Sequence, residues 1–106
     1  MKIVAVTACT VGVAHTYIAK DRLEQAADKA GHCIKVETQG NVGIENELTA
    51  EDIAAADIVI LAADVAVAKR ERFKGRPLVE VPSVIAIKQP EQLIKKIEAK
   101  MGGEAR

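Results

Sequence analysis

The stretch from Ala5 to Tyr17, AVTACTVGVAHTY, holds the residues best suited to chemistry. Small apolar residues lead to Cys9, which is open to four roles: core thiol, redox partner, lipid anchor or nucleophile. Residues 10–16 follow without a proline, so every position offers a backbone N–H. Gly12 accepts the positive φ that a tight cradle needs. A turn of this kind leading into a helix is typical of an anion site, most naturally for phosphate.

The same loop affects the reactivity of the cysteine. Its members are Thr10, Val11, Gly12, Val13, Ala14, His15 and Thr16. The positive end of a helix beginning here favours a thiolate, so Cys9 is expected to be a good nucleophile at neutral pH. The alternative is that Cys9 is a buried small apolar residue and that His15 and Thr16 only cap the helix.

Two of the four roles are disfavoured. Cys33 opens the second predicted strand, which places it on the order of 15–20 Å from Cys9 at strand rise. A disulfide needs Cα atoms within about 7 Å, so a redox pair is not expected. The apolar segment before Cys9 is short for a lipoprotein signal and fits a strand better.

Composition excludes several classes of protein. The chain has 106 residues, enough for one domain, assigned here to residues 1–101 with a tail over 102–106. Lys plus Arg equals Asp plus Glu at 15 each, and one Tyr, one Phe and no Trp leave no stacking platform, so nucleic acid is not an expected partner. No apolar run approaches the ~20 residues of a membrane span, and a cytoplasmic protein without cofactor or metal is expected.

Strands and helices alternate along the chain. Predicted strands cover Ile3–Val6, Ile34–Thr38, Ile58–Leu61 and Leu78–Val81, and predicted helices cover 16–30, a segment capped by Thr49 and a segment from Pro90. The pattern predicts an α/β domain with a four-stranded parallel sheet in the order 2-1-3-4, open and doubly wound, with helices on both faces. The two all-apolar strands should be central and the mixed ones edges. Cys9 then lies at the switch point, where ligands bind.

Four further residues are candidates for the rim of the site or for docking a partner. Gln39 and Gly40 follow the second strand, with a plain loop as the alternative. Asp64 ends the third strand, and its alternative is a turn residue. Arg72 belongs to a basic run that either meets an acidic partner or is simply solvated. Ser83 is interpreted only as a helix cap.

The cysteine loop resembles the Cys-x5-Arg-Ser/Thr loop of low-molecular-weight tyrosine phosphatases, with one difference. His15 stands where those enzymes have the arginine that clamps a phosphoryl group. No Asp-Pro loop offers a general acid either. A cysteine that forms a phosphate ester but does not hydrolyse it is a carrier.

Three motifs carry a wider resemblance: VTAC at 6–9, GVAHTY at 12–17 and VETQG at 36–40. With segments 43–64 and 72–82, they make the chain similar to the IIB component of the bacterial phosphoenolpyruvate-dependent sugar phosphotransferase system, in its fructose-specific or fructose-like branch. The resemblance covers nearly the whole chain except the tail. Thr10-Val11 replaces the Pro-Thr that is usual there.

The resemblance implies a function. Cys9 would accept a phosphoryl group from a phosphohistidine on a IIA domain and pass it to a sugar, fructose or fructose-like, held by the IIC membrane permease. The protein would then be one component of a protein-phosphohistidine–sugar phosphotransferase. The alternatives are a small phosphatase and a non-catalytic regulatory or binding module.

Overall fold

The computed structural model describes residues 1–9, 13–40 and 43–100. Thr10, Val11 and Gly12 of the predicted phosphate loop lie outside the described residues, as does the predicted tail over 102–106. The strands are β1 (Lys2–Ala8), β2 (Cys33–Gly40), β3 (Gly43–Glu45), β4 (Ile58–Ala63) and β5 (Leu78–Val81). The helices are α1 (Val13–Lys29), α2 (Ala50–Ala55), α3 (Ser83–Lys88) and α4 (Pro90–Lys100), with a 3-10 turn at Arg70–Phe73.

The strands form one sheet in the order β3-β2-β1-β4-β5. The four parallel strands β2, β1, β4 and β5 keep the predicted relative order. The prediction of a four-stranded, wholly parallel sheet is wrong, because β3 adds a fifth strand antiparallel to β2. Gly40 pairs with Gly43, which has a φ of +98° that only glycine adopts readily. A strand of three residues carries too little apolar pattern to be recognised in the sequence.

β2 also differs from the predicted edge strand with one wet face. Its burial does not alternate, since Val36, Glu37 and Thr38 are all buried. β1 covers one edge and β3 the carboxyl half of the other. The buried acid needs an internal partner, which is described with the site.

Helices cover both faces of the sheet, as predicted. On one face α1, α3 and α4 pack on β1 and β4, through fully buried residues such as Leu23, Ile60 and Ile97. On the other face α2 and the 3-10 turn contribute Ile53 and Phe73 to a smaller core. Each buried Val, Leu, Ile or Phe side chain contributes about 1.5–3 kcal/mol, so both faces of the sheet add to the stability of the fold.

The predicted start of α2 is confirmed in detail. The Thr49 hydroxyl accepts from the Asp52 N–H at 3.0 Å, and the Asp52 carboxylate accepts from the Thr49 N–H at 2.9 Å. This is a capping box in which Asp takes the usual place of Glu. The Lys35 ammonium 2.7 Å away and the Thr49 contacts lower the pKa of Asp52 to about 2. In the part of the chain that the structure describes, no helix is long and apolar enough to cross a bilayer.

The sheet presents its functional edge where β1 and β4 end side by side. Ala8 pairs with Ala63, and the Asp64 N–H donates to the Ala8 carbonyl at 2.9 Å, which extends the ladder by one bond. The chain winds outward from this pair, toward β2 on one side and β5 on the other. Cys9 therefore lies at the switch point, as the sequence predicts.

Candidate active site at the switch point

Four polar side chains meet at the carboxyl edge of the sheet. Cys9 directly follows β1 and Asp64 directly follows β4. Ser83 is the first residue of α3, two positions after β5, and His15 is in the first turn of α1. Parallel strands end at one edge of a sheet, so these residues converge although they are far apart in sequence.

The Cys9 thiol is buried, with 9% of its surface exposed, and contacts two polar groups. Its Sγ lies 3.0 Å from His15 Nδ1 and donates to Asp64 Oδ2 at 3.0 Å. A thiol has one proton, so when that proton goes to Asp64 the sulfur accepts from His15 in the tautomer with Nδ1 protonated. The sulfur is thus held by hydrogen bonds on both sides, an arrangement unlike that of an inert core cysteine.

Ser83 fixes the Asp64 carboxylate through both of its oxygens. The Ser83 hydroxyl donates to Oδ2 at 2.5 Å and the Ser83 N–H donates to Oδ1 at 3.0 Å. The Ser83 hydroxyl, the Cys9 thiol and the Ser83 N–H together hold the pKa of Asp64 below its ordinary value. Asp64 is therefore ionised at neutral pH. The carboxylate is a fixed negative charge beside the sulfur.

Interpreting Ser83 as only a helix cap is wrong. Pro82 occupies the cap position of α3, while the side chain of Ser83 is 1% exposed and points into the site. Its Oγ lies 3.8 Å from Cys9 Sγ and 3.5 Å from His15 Nδ1. The sequence offered one signal for this role, because Ser83 follows a predicted strand and so belongs to the same edge of the sheet as Cys9 and Asp64.

Thr16 contributes a second buried hydroxyl. The residue is 2% exposed, and its Oγ1 has no hydrogen-bond partner within residues 1–9, 13–40 and 43–100. Its carbonyl accepts from the Thr7 hydroxyl at 3.3 Å, which ties the start of α1 to β1. Buried hydroxyls are normally paired, so Thr16 is a candidate contact for a bound anion. Ala14, in the first turn of the same helix, is exposed.

Glu37 of the VETQG motif is clamped by a basic residue. Its side chain is fully buried and receives two hydrogen bonds from the Arg72 guanidinium, Nη1 to Oε1 at 2.8 Å and Nη2 to Oε2 at 2.6 Å. The Leu48 N–H also donates to Oε1, at 2.9 Å. Burial alone raises the pKa of Glu37, but hydrogen bonds from Arg72, Leu48 and Gln39 outweigh it, and the pKa lies below the ordinary value. Sequence reasoning did not single out this acid.

Gln39 joins this network and extends it to the segment after β4. Its Oε1 accepts from the Ala68 N–H at 2.8 Å, and its Nε2 donates to the Ala68 carbonyl at 3.1 Å and to Glu37 at 2.7 Å. The Gln39 amide thereby satisfies the backbone N–H and carbonyl of Ala68, as a neighbouring strand would do. Gln39 and Arg72 together hold residues 64–73 against β2, while Gly40 ends β2 opposite Gly43. Of the four rim candidates, Asp64 is the one that contacts Cys9.

Other members of the basic run also have partners in the chain. Lys69 pairs with Glu47 at 2.7 Å and Arg70 pairs with Glu80. The Arg76 side chain donates to the Ala54 carbonyl at 2.9 Å. These contacts fix the loop before β5.

The second cysteine is remote from the site. Cys33 is exposed and pairs in register with Lys2, seven residues before Cys9 along β1. Seven residues span about 23 Å at strand rise, which is too far for a disulfide. The register agrees with the prediction that the two thiols do not pair.

Fold and site together define a small, open α/β domain with a hydrogen-bonded thiol at its switch point. Residues 4–96 match the family model described as "PTS system, Lactose/Cellobiose specific IIB subunit". The chain therefore belongs to the IIB family of the sugar phosphotransferase system, as the sequence motifs indicate.

Individual relatives within the family are fructose-like or fructose-specific proteins. The chain is 52% identical over 104 residues to the Escherichia coli K12 "PTS system fructose-like EIIB component 2", covering 98% of both chains. It is 48% identical over 95 residues to the Bacillus subtilis "PTS system fructose-specific EIIABC component", covering 90% of this chain and 15% of that longer one. The family model names lactose and cellobiose, whereas these relatives are fructose-like or fructose-specific.

Solved structures confirm the α/β fold. The solution structure of an enzyme IIB subunit of the PTS from Escherichia coli K12 superposes with a TM-score of 0.91 at 44% identity, over 99% of this chain and 97% of that one. The crystal structure of a domain from the fructose-specific IIABC component of Borrelia burgdorferi gives 0.84 at 53% identity, over 89% of each.

Proposed function

We propose that this protein is a phosphoryl carrier of the phosphoenolpyruvate-dependent sugar phosphotransferase system. Cys9 accepts the phosphoryl group from a phosphohistidine on a IIA protein and gives it to a sugar bound by the IIC permease. The observation that supports this proposal most directly is the position of Cys9 Sγ, which lies at the switch point and 3.0 Å from both His15 Nδ1 and Asp64 Oδ2. Membership of the IIB family supports the same role.

The two transfers conserve every proton. In the first, an S–P bond forms on Cys9 as the donor histidine's N–P bond breaks, and the thiol proton ends on that histidine nitrogen. In the second, an O–P bond forms on the sugar as the S–P bond breaks, and the sugar hydroxyl proton ends on the Cys9 sulfur. Transfers of this kind depend mainly on alignment and on stabilising the charge of the moving group.

The surroundings of Cys9 favour one direction for the phosphoryl group. The Asp64 carboxylate repels a phosphoryl dianion, so the phosphoryl group turns toward the N-terminus of α1. That terminus carries the positive end of the helix dipole, and its first turn contains no acidic residue. Backbone N–H groups of residues 10–16 and the Thr16 hydroxyl are the proposed donors to its oxygens.

A carrier must also keep the phosphocysteine from reacting with water. Phosphatases of similar loop pattern use an arginine fork at the position of His15, which stabilises the transition state of transfer. His15 offers one ring nitrogen near the sulfur and no fork. This difference favours a carrier over a phosphatase.

The partners follow from the family. The donor is a fructose-type IIA protein, the acceptor a fructose or fructose-like sugar held by a IIC permease, and the transfer takes place on the cytoplasmic side. The fructose names of relatives near 50% identity support this sugar class.

Discharge of the phosphoryl group tests the proposed role. Protein phosphorylated on Cys9 is mixed with vesicles that carry a fructose-type permease and with labelled fructose, and sugar phosphate is measured. Sugar phosphate that requires both permease and phosphoprotein is expected. Turnover of an aryl phosphate by the protein alone, with no sugar phosphate formed, would instead identify a phosphatase.

A further inference from the structure

The side chains around Cys9 offer three different metal ligands. Cys9 Sγ, one ring nitrogen of His15 and one carboxylate oxygen of Asp64 all lie within 4.8 Å of one another. We infer that these three side chains form a zinc site, and that zinc bound there blocks the transfer function of Cys9. The sequence does not indicate this site, because Asp64 lies 55 residues after Cys9 and meets Cys9 and His15 only in the folded chain.

The chemistry of the ligands suits zinc. Zinc takes thiolate sulfur, imidazole nitrogen and carboxylate oxygen, and zinc sites with three protein ligands keep a fourth position open. Magnesium and calcium prefer sites made wholly of oxygen, which this one is not. One thiolate and one carboxylate balance the double charge of the ion.

The geometry requires a small adjustment. Zinc–ligand bonds of about 2.0–2.3 Å place tetrahedral ligands about 3.4–3.6 Å apart. Sγ lies 3.0 Å from His15 Nδ1 and 3.0 Å from Asp64 Oδ2, so each pair must open by about half an ångström. The thiol proton between Sγ and Oδ2 leaves as the metal enters.

The carboxylate is already held in place for the ion. The Ser83 N–H fixes Oδ1 and the Ser83 hydroxyl donates to Oδ2, the oxygen that faces the sulfur. Contacts of this kind orient metal ligands, and their loss typically weakens metal binding 10–100-fold. Because the ligands follow β1, follow β4 and lie on α1, the site forms only in the folded chain.

Zinc and a phosphoryl group compete for the same sulfur. A sulfur whose lone pair is bound to zinc does not attack phosphorus, and a phosphocysteine is no longer a thiolate ligand. The block on transfer rests on the proposed function, whereas zinc binding is measured without any phosphoryl donor.

The test is a titration of the metal-free protein with zinc in a chelator-buffered solution. One ion per chain is expected, with micromolar or tighter affinity and a raised Tm. Cobalt in its place should give the absorption bands of a tetrahedral site with a thiolate ligand. Asp64→Asn and His15→Ala should each weaken binding at least tenfold, and Ser83→Ala about tenfold.

Cys33→Ser is the matched control, because it removes the exposed thiol at the other end of the sheet. Its affinity should equal that of the parent, and circular dichroism of each variant checks that it is folded. Binding that is absent, unchanged in folded Asp64→Asn, or lost in Cys33→Ser would overturn the inference. Zinc should also prevent formation of the phosphoryl adduct, and chelator should restore it.

Discussion

Cys9 owes its chemical surroundings to residues far along the chain. His15 is 6 residues away, Asp64 is 55 and Ser83 is 74. The nearby loop made Cys9 and His15 recognisable in the sequence as a pair. The role of Ser83 could not be recognised in this way, because a serine before an apolar run is also typical of a helix cap.

His15 is predicted to limit hydrolysis of the phosphocysteine. In His15→Arg a guanidinium fork can hold the phosphoryl oxygens as they pass to water, and hydrolysis should accelerate on the order of 10²-fold. The rate is measured by loss of the adduct from isolated phosphoprotein. His15→Gln, which is polar but has no fork, is the control and should hydrolyse at about the parent rate. An unchanged or slower rate in His15→Arg would contradict this role.

Glu37 is predicted to stabilise the fold in a pH-dependent way. The pKa of Glu37 is lower in the folded chain than in the unfolded chain, where it is near 4.5. The stabilisation from the Glu37 carboxylate is therefore complete above the unfolded pKa and is lost as pH falls through the folded pKa. Glu37→Gln removes charge-assisted bonds to Arg72 and should cost about 2 kcal/mol at pH 7. Urea unfolding should show that the difference in free energy of unfolding between parent and variant becomes smaller from pH 7 to pH 3.

Glu80→Gln provides the comparison, because Glu80 pairs with Arg70 on the exposed surface. Exposed pairs contribute little, so this variant should unfold near the parent midpoint at pH 7. If the difference in free energy of unfolding between the parent and Glu37→Gln stays constant or becomes larger in acid, the result would be inconsistent with the buried ion pair.

At the scale of elements, strand ends and helix starts position the site. The all-apolar pattern of β1 and β4 identified the central strands, and apolar spacing with Pro90 identified α4. β3 was missed, and the six-residue α3 (Ser83–Lys88) was indicated only by the interpretation of Ser83 as a helix cap, because short elements have little periodicity and depend on their tertiary contacts. The burial of Glu37 was missed because its partner, Arg72, is 35 residues away.

Gln39 is predicted to anchor the segment that follows β4. Gln39→Ala removes both bonds to Ala68, each of which contributes about 1 kcal/mol net, and opening of that segment should become roughly fivefold more frequent for each bond lost. Hydrogen exchange of the Ala68 amide measures the effect. Gln25→Ala on the exposed face of α1 is the control and should leave Ala68 unchanged. If the Ala68 amide exchanges equally slowly in the parent and in Gln39→Ala, Gln39 does not anchor this segment.

At the scale of the whole molecule, the sheet separates the buried thiol of Cys9 from the exposed thiol of Cys33. Cys9, Asp64 and Ser83 meet at the carboxyl edge, while Cys33 lies at the opposite edge beside Lys2. The order of the four parallel strands could be predicted because βαβ crossovers are right-handed and apolar strands are central. That order was enough to place Cys9 at the switch point.

Intact-protein mass spectrometry tests the central claim, that Cys9 carries the phosphoryl group. The protein is incubated at mildly alkaline pH with phosphoenolpyruvate, the general phosphotransfer proteins and a fructose-type IIA protein, with zinc removed by chelator. One phosphoryl adduct is expected in the parent and in Cys33→Ser, and none in Cys9→Ser. No adduct in the parent, or an adduct that persists in Cys9→Ser, would contradict the account.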